Sequence, residues 1–258
     1  TALIQAQRDA AWGEVARRLA HEIKNPLTPI QLSAERLRYK YLDTIVAYTG
    51  NKEDAHVLDR ATHTIIQQVG AMKEMVNAFS DYARAPKLIL QPLNINMLVE
   101  DVTDLYRGHD SKIQLLTKLD QQLPTIEADA GRFRQLLHNL FKNALDALHE
   151  NAGCYIIVTT RWVHGSGFNN IELAVCDNGS GIPADILGTL FDPGVTRKSK
   201  GSGLGLAIVK KIVEEHGGVV KAENNPEGGA CISVRLPLPH NPDATPAPNV
   251  PSSKQERP

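Results

Sequence analysis

Apolar residues recur at alternating steps of four and three between Ala16 and Tyr41. This spacing predicts a long helix whose apolar seam packs in a coiled-coil-like bundle. A second run with helical spacing extends from Leu58 to Phe79, and Gly50-Asn51 separates the two runs, so we expect a helical hairpin. The seam residues are Ala16, Ala20, Ile23, Leu27, Ile30, Ala34, Leu37 and Tyr41 in the first run and Leu58, Ala61, Ile65, Val69, Met72, Val76 and Phe79 in the second.

The pattern changes at Ala85-Pro86, after which helical segments alternate with short β-rich runs. One hairpin cannot bury two long apolar stripes, so we expect residues 1–86 to form a homodimeric four-helix bundle. Strands outnumber a regular βαβ rhythm, which predicts an α+β sandwich over residues 87–238, and the proline-rich residues 239–258 are predicted to be disordered. The predicted helices are 96–107, 130–150 and 204–216, and the predicted strands are 155–160, 171–176 and 231–236.

The composition of the 258 residues, 42% hydrophobic and 22% charged, is that of a soluble globular protein. A net charge of −1 gives no overall excess that would attract nucleic acid or an anionic membrane. Cys154, Cys176 and Cys231 lie far apart, which argues against a disulfide framework and a zinc site and favours a reducing cytosolic setting. No stretch approaches the roughly 18 apolar residues of a membrane span. The start at Thr1 fits both a piece of a longer protein and removal of an initiator methionine.

The first helix carries a histidine in a distinctive setting. His21 stands one residue past a seam position, so we expect it on an accessible face with Asn25 at i+4, while Glu22 reaches the imidazole only from the side. A neutral imidazole is a nucleophile, and a neighbouring carboxylate can orient its other ring proton. An exposed histidine beside an ordinary glutamate is the alternative. Pro26 and Pro29 cannot donate to the carbonyls one turn earlier, so we expect a bend there.

Three segments of the second region have residues suited to a nucleotide. Asn139 and Asn143 share a helical face and could complete the shell of a phosphate-bound Mg²⁺. In the segment 177–183, DNGSGIP, the glycines permit close approach and Asp177 offers an acceptor for an exocyclic amine. The segment 198–206, KSKGSGLGL, leads from cations into a helix N-terminus, which favours phosphate. Taken singly, surface amides, a tight turn and a flexible loop are the alternatives.

Five motifs occur in one order along this chain, and the set resembles that of the sensor histidine kinases. The motifs are His-Glu-x-x-x-Pro, Asn-x-x-x-Asn, Asp-x-Gly-x-Gly, a Phe-bearing stretch and Gly-x-Gly-x-Gly. The resemblance covers about residues 10–238 and implies a dimerising phosphoacceptor hairpin followed by an α/β-sandwich domain with the ATP fold of gyrase, Hsp90 and MutL. Within that family, residues 21–40, HEIKNPLTPIQLSAERLRYK, look most like the NtrY-type nitrogen-regulation sensor kinases.

On the hairpin, the resemblance implies that His21 is the phosphoacceptor, Glu22 its acid/base partner and Asn25 the residue that positions water for dephosphorylating a partner. The implied reaction transfers the γ-phosphoryl group of Mg-ATP to His21 and then to an aspartate of a response regulator. An ATP-gated machine and a non-catalytic dimeric scaffold are the rival interpretations. The helix with His21 speaks against the first, and the intact Asn143, Asp177 and glycine loop speak against the second.

In the second domain, the resemblance implies that Asn143 binds Mg²⁺, that Asp177 accepts from the adenine amino group and that residues 191–200 form a lid over ATP. Many relatives have a basic residue where this chain has Asp146, so the cation at the triphosphate is left open between Lys142, Arg197, Lys198 and Lys200. The residues assigned to the nucleotide are Asn139, Lys142, Asn143, Asp177, Gly179, Gly181, Ile182, Thr196, Arg197, Lys198, Gly201, Ser202, Gly203, Leu204, Gly205 and Leu206.

The two domains must move together for such a transfer, and we expect this motion at the lid and at a hinge over residues 84–86. The resemblance implies a homodimer and the receiver domain of a response regulator as partners. We expect no direct contact of this segment with nucleic acid or membrane. The resemblance further implies that this segment is the cytoplasmic part of a larger sensor anchored in the inner membrane.

Overall fold

The computed structural model describes residues 2–49, 52–83, 88–107, 113–148, 153–165, 168–197 and 202–238. Helix α1 runs from Ala2–Thr49 and helix α2 from Lys52–Ala83, and the two pack along each other, which confirms the predicted hairpin. Helix α1 is longer than its seam suggested and stays helical through Pro26 and Pro29. Gly50-Asn51, the predicted hinge at 84–86 and the tail after 238 lie outside the described residues.

Two side-chain bonds set the register of the hairpin. Arg38 Nε donates to Asp59 Oδ1 at 2.7 Å, and Lys73 Nζ donates to Gln31 Oε1 at 2.7 Å. The helices are therefore antiparallel, and the turn of α1 that carries His21 lies level with the last turns of α2. Small or apolar residues are buried in the hairpin, namely the seam residues Ala20, Leu27 and Ala34 of α1 and Val69 of α2, together with Ala55 of α2.

The hairpin leaves much of its apolar seam uncovered within one chain. Seven large apolar side chains along this seam are between 41% and 51% exposed. They are the seam residues Ile23, Ile30, Leu37, Ile65, Met72 and Phe79 and the adjacent Leu19. A continuous apolar stripe of this kind is costly in water, since each half-exposed side chain forgoes roughly half of the 1.5–3 kcal/mol that full burial of a large apolar side chain contributes. The stripe is the surface that a second hairpin would cover.

The second domain is a five-stranded sheet with helices on one face. Its strand order is β2-β4-β5-β7-β6, where β2 pairs with β4 in parallel and the other pairs are antiparallel, and β1 and β3 form a separate antiparallel pair. The strands are β1 Gln91–Leu93, β2 Ile113–Lys118, β3 Ile126–Ala128, β4 Cys154–Gly165, β5 Phe168–Asp177, β6 Val219–Asn224 and β7 Ala230–Pro237. The helices are α3 Ile95–Tyr106, α4 Ala130–Ala147 and α5 Gly205–Glu215. The expected α/β sandwich is confirmed.

The helix boundaries follow local capping chemistry. Asn94 and Asp129 cap α3 and α4 by accepting from the backbone N–H three residues later. Helix α4 ends at Ala147, three residues before the predicted 150, because Leu148 has an extended backbone. Strands β2 and β6 were not predicted, since each is a six-residue run whose apolar and polar residues alternate only partly along the sequence.

The core of this domain fixes α4 and α5 side by side on the sheet. Phe133, Leu137 and Phe141 of α4 and Val209 and Ile212 of α5 are essentially inaccessible to solvent. Deleting such a side chain costs about 2–5 kcal/mol, so the two helices form one rigid layer with the sheet. A largely buried ion pair between Arg132 and Glu215, with Nη2 and Oε2 2.8 Å apart, joins the same two helices.

The cysteine prediction is wrong in one respect. Cys176 and Cys231 form a disulfide, because they are directly opposite each other on the antiparallel strands β5 and β7 although 55 residues separate them in sequence. Cys154 is free and buried. The spacing of the cysteines therefore cannot serve as an argument for a reducing compartment.

Candidate functional site

One face of α4 brings the three predicted nucleotide motifs together. Asn139, Asn143 and Ala147 are spaced at i, i+4 and i+8, so they share this face. At one end, a Cβ placed on Gly205 would lie 3.4 Å from Asn139 Oδ1, so the start of α5 lies against Asn139. At the other end, Ser180 N donates to the Ala147 carbonyl at 3.2 Å. Asn143 therefore lies between the two glycine-rich loops.

Asp177 is fixed at the end of β5. Its side chain is buried, and Oδ1 accepts from Gly179 N at 2.8 Å and from Ala230 N at 3.3 Å. Two backbone donors on one carboxylate oxygen hold the group in a single orientation at the floor of the site. Such a preset acceptor suits recognition of a planar ring with an exocyclic amine.

Close backbone approach explains two glycines of the Asp-x-Gly-x-Gly segment. A Cβ on Gly179 would lie 2.4 Å from the Ala147 carbonyl oxygen, so no side chain fits. Gly181 has a φ of +74°, a left-handed conformation that favours glycine. Beyond it, Ile182 exchanges two hydrogen bonds with the Asn224 side chain, from Ile182 N to Oδ1 at 2.7 Å and from Nδ2 to Ile182 O at 2.8 Å.

Sequence reasoning missed residues that support Asp177 and its loop. Asn224 holds Ile182, Asn225 Nδ2 donates to the Asp177 carbonyl at 3.3 Å, and a Cβ on Gly229 would lie 2.0 Å from that carbonyl oxygen. The run Asn-Asn-Pro-Glu-Gly-Gly at 224–229 is a turn signal that could have marked this segment. Its role emerges only from the pairing of β7 with β5.

The base of the predicted lid is closed by two glycines. Gly194 N donates to the Gly203 carbonyl at 3.0 Å, and a Cβ on Gly203 would lie 2.5 Å from the Gly194 carbonyl carbon. Gly203 also has a φ of +66°. Lys198, Lys200 and Gly201 lie outside the described residues.

The remaining predicted residues of this loop divide between solvent and core. Thr196 and Arg197 are exposed, and Arg197 forms an ion pair with Asp185. Ser202 Oγ accepts from Leu204 N at 3.3 Å. The side chain of Leu204 is buried in the core and that of Leu206 packs against it, so these two residues can offer a ligand only their backbone groups.

Lys142, predicted to lie near the triphosphate, contacts the hairpin in this structure. Its Nζ lies 2.8 Å from Oε2 of Glu74 on α2, so the cation is paired with the hairpin. Asp146, one turn later, is exposed. Of the cations predicted to lie at the triphosphate, Lys142 is thus paired with Glu74, and Arg197 is paired with Asp185.

A neutral aromatic pair braces α4 at the turn that carries Asn139. Tyr106 shares a hydrogen bond with Nδ1 of His138, 3.0 Å from its hydroxyl, and its ring stacks on Phe141. Burial lowers the pKa of His138, and the Arg134 cation lowers it further. Burial raises the pKa of Tyr106, an effect that the charge of Lys142 partly offsets. Both side chains are therefore uncharged near pH 7, and His138 has a structural role.

His21, Glu22 and Asn25 are all exposed on α1, as expected for a phosphoacceptor face. Arg18 Nε donates to Glu22 Oε1 at 3.0 Å, so the contact that the structure gives this carboxylate is with an arginine one turn earlier. The imidazole lies at the open end of the hairpin, level with the part of α2 that touches the second domain.

Comparison with known proteins identifies both domains. Residues 11–87 match the His Kinase A (phospho-acceptor) domain, and residues 128–240 match the histidine kinase-, DNA gyrase B-, and HSP90-like ATPase. The chain belongs to the sensor histidine kinases. None of the described helices of this kinase is long and apolar enough to span a membrane.

Individual relatives agree with this assignment. The nitrogen regulation protein NtrY of Azorhizobium caulinodans is 38% identical over 246 residues, which cover 92% of this kinase and 30% of NtrY. Full-length ShkA in complex with AMPPNP matches with a TM-score of 0.66 and 26% identity over 87% of this kinase and 45% of ShkA. Histidine kinase ThkA in complex with response regulator TrrA matches with a TM-score of 0.61 and 27% identity over 90% of this kinase and 63% of ThkA. This kinase spans about a third of the length of NtrY and of the NtrY-like relatives.

The residues on α4 fit a magnesium ion that also binds phosphate. Asn143 and Asn139 offer neutral amide oxygens, and the described residues contain no cluster of three or more His, Cys, Asp or Glu that would hold a metal by itself. Mg²⁺ prefers few protein ligands together with water and phosphate oxygens. The absence of a Cβ on Gly205 keeps the approach to Asn139 open.

Proposed function

We propose that this chain is the catalytic core of a two-component sensor kinase that transfers the γ-phosphoryl group of ATP to His21. The observation that carries the proposal is the convergence of Asn139, Asn143, the Asp177 loop and Gly205 on one face of α4, in a domain docked beside the helix pair that exposes His21. Nitrogen regulation, as in the name of NtrY, is the physiological setting that this similarity favours.

The nucleotide would be recognised at two ends. The buried Asp177 carboxylate would accept from the adenine amino group, with Gly179 and Gly181 giving the ring room to approach the backbone. The phosphates would lie against Asn139 and the backbone of residues 203–205, where α5 begins and its N-terminal dipole favours negative charge. Asn143 would hold Mg²⁺, which would neutralise part of the phosphate charge.

The transfer step requires an unprotonated ring nitrogen of His21. Its lone pair attacks the γ-phosphorus in line with the β–γ bridging oxygen, the bond to that oxygen breaks and ADP leaves with the electron pair. Glu22 would orient the second ring nitrogen and accept its proton as the phosphorus–nitrogen bond forms, which requires the carboxylate to exchange Arg18 for the imidazole. Little covalent assistance is needed in such a loose transition state, so catalysis depends on bringing the two domains together.

The phosphoryl group would then pass to an aspartate of a response regulator receiver domain. Asn25 shares an exposed face with His21 one turn away, where its amide could position water against a phosphorylated regulator bound to the same surface. The exposed apolar stripe of the hairpin supports a homodimer through a four-helix bundle. We further propose that the segment is the cytoplasmic part of a larger sensor anchored in the inner membrane, with no direct contact of its own to nucleic acid or membrane.

Labelling with γ-³²P-ATP and Mg²⁺ tests the proposal. We expect a label that is lost in acid and stable in base, as for a phosphorus–nitrogen bond to histidine, and no label in His21→Gln. His63→Gln is the matched control, because His63 is an exposed histidine on α2 that the proposal does not use. Equal labelling of His21→Gln and the wild type would contradict the assignment.

A further inference from the structure

One face of α2 docks the hairpin on the ATP-binding domain. Glu74, Ala78 and Asp81 are spaced at i, i+4 and i+7, so they lie on the same side of the helix. Glu74 accepts from Lys142 Nζ at 2.8 Å, and Asp81 Oδ2 accepts from Gln135 Nε2 at 3.2 Å. Ala78 packs against the core of the domain. Both polar contacts reach α4, the helix that carries Asn139 and Asn143.

The ammonium group of Lys142 has two possible partners, the Glu74 carboxylate and a phosphate of the nucleotide. It lies three residues after Asn139 and directly before Asn143, at the margin of the nucleotide face of α4. A lysine is a single point charge on a flexible stem, so its ammonium can swing between neighbouring acceptors. While it is bound to Glu74, its charge is already neutralised by a carboxylate and is not available to a phosphate.

We infer that Glu74 competes with the phosphates of bound ATP for Lys142, so that hairpin docking and ATP binding weaken each other. The inference rests on the proposed function, because it requires Lys142 to reach the phosphates. By thermodynamic linkage, ATP weakens the docking contact by the same factor by which docking weakens ATP binding. Nucleotide binding therefore loosens the ATP-binding domain from α2. The domain needs this freedom to bring ATP to His21.

The size of the coupling follows from the exposure of the pair. The two side chains are 61% and 68% exposed, and exposed ion pairs contribute little because water and salt screen them. We expect removal of Glu74 to change ATP affinity by about two-fold to five-fold. Raising the salt from about 0.1 M to about 1 M shortens the screening length from about 10 Å to about 3 Å, so the difference should shrink.

Equilibrium binding of ATP and of adenosine to the whole chain, with Mg²⁺, tests this inference. Glu74→Gln keeps the side-chain shape and removes the charge. Asp59→Asn is the matched control, since it removes a carboxylate on the same helix that pairs with Arg38 within the hairpin at 2.7 Å. We expect Glu74→Gln to bind ATP two-fold to five-fold more tightly at low salt and adenosine with unchanged affinity, and we expect no change for Asp59→Asn.

Three results would overturn the competition. They are equal ATP affinity of Glu74→Gln and the wild type, equal tightening for adenosine and ATP, and equal tightening in Asp59→Asn. Failure of the proposed function gives a different result, because the wild type would then show no label on His21, with or without ATP binding. A wild type that binds ATP and labels His21, with a Glu74→Gln affinity that is unchanged, refutes the competition alone.

Discussion

Gly179→Ala should damage the nucleotide site through a backbone clash. The added Cβ would lie 2.4 Å from the Ala147 carbonyl oxygen and 2.7 Å from its carbon, far inside the optimum of about 3.5–4.0 Å for carbon contacts. Both atoms belong to the backbone at the end of α4, so neither can rotate away. The loop or the helix end must move, and this also disturbs the hydrogen bond from Gly179 N to Asp177 Oδ1 at 2.8 Å.

The expected size of this effect is that of overpacking, about 1–3 kcal/mol. For a domain of 150–250 residues, a loss of this size lowers Tm by about 2–12 °C. If the same energy appears in binding, ATP affinity falls by about five-fold to 150-fold. Thermal unfolding without nucleotide and calorimetric titration with Mg-ATP would measure the two effects separately.

Gly188→Ala is the matched control for this prediction. Gly188 is an exposed glycine of the same domain, and a Cβ placed on it meets nothing within 4 Å. We expect Gly188→Ala to bind ATP and unfold like the wild type. Wild-type affinity and Tm in Gly179→Ala would refute the placement of this loop against α4, and with it the geometry of the site.

Two further predictions concern the phosphoacceptor face and the start of α4. Asn25→Ala should leave labelling of His21 largely intact while slowing the loss of phosphate from a phosphorylated response regulator, measured by release of inorganic phosphate; an unchanged rate would leave Asn25 without a role in dephosphorylation. Burial raises the pKa of Asp129, but N–H donors from Ile89, Arg132 and Gly131, with the charge of His216, outweigh it and leave the pKa below its usual value. Because a carboxylate with a lowered pKa stabilises the fold only while ionised, Asp129→Ala should cost about 0.5–2 kcal/mol at pH 7, and urea unfolding should show this gap closing as the pH falls below about 4. A gap of constant size down to pH 3 would contradict the capping role.

Long-range periodicity made the helices predictable, and short elements escaped it. The seam of α1 and α2 and the apolar faces of α4 and α5 extend over several turns, so each is read from many positions. Strands β2 and β6 are six residues each and alternate only partly, which leaves too few positions for a pattern. The long helices were therefore predicted, whereas two of the five strands of the sheet were not.

The nucleotide motifs were predictable because each is a local cluster of residues with special chemistry. The contacts that residues make with distant parts of the chain were not predictable. The pairing of Cys176 with Cys231 depends on the register of β5 and β7, and the pairing of Lys142 with Glu74 depends on how the hairpin docks. The bond from Arg18 to Glu22 is different, since an i,i+4 pair of opposite charges on a helix can be read directly from the sequence.

The proposed function requires that ATP bound at α4 phosphorylates one imidazole on the hairpin. The most direct test is peptide mass spectrometry of the autophosphorylated chain under neutral to basic conditions, with fragmentation that preserves the phosphorus–nitrogen bond. We expect a single phosphohistidine at His21 and none at His56 or His63, which are also exposed on the hairpin. A phosphoryl group on another histidine, on serine or on threonine, with His21 unmodified, would contradict it.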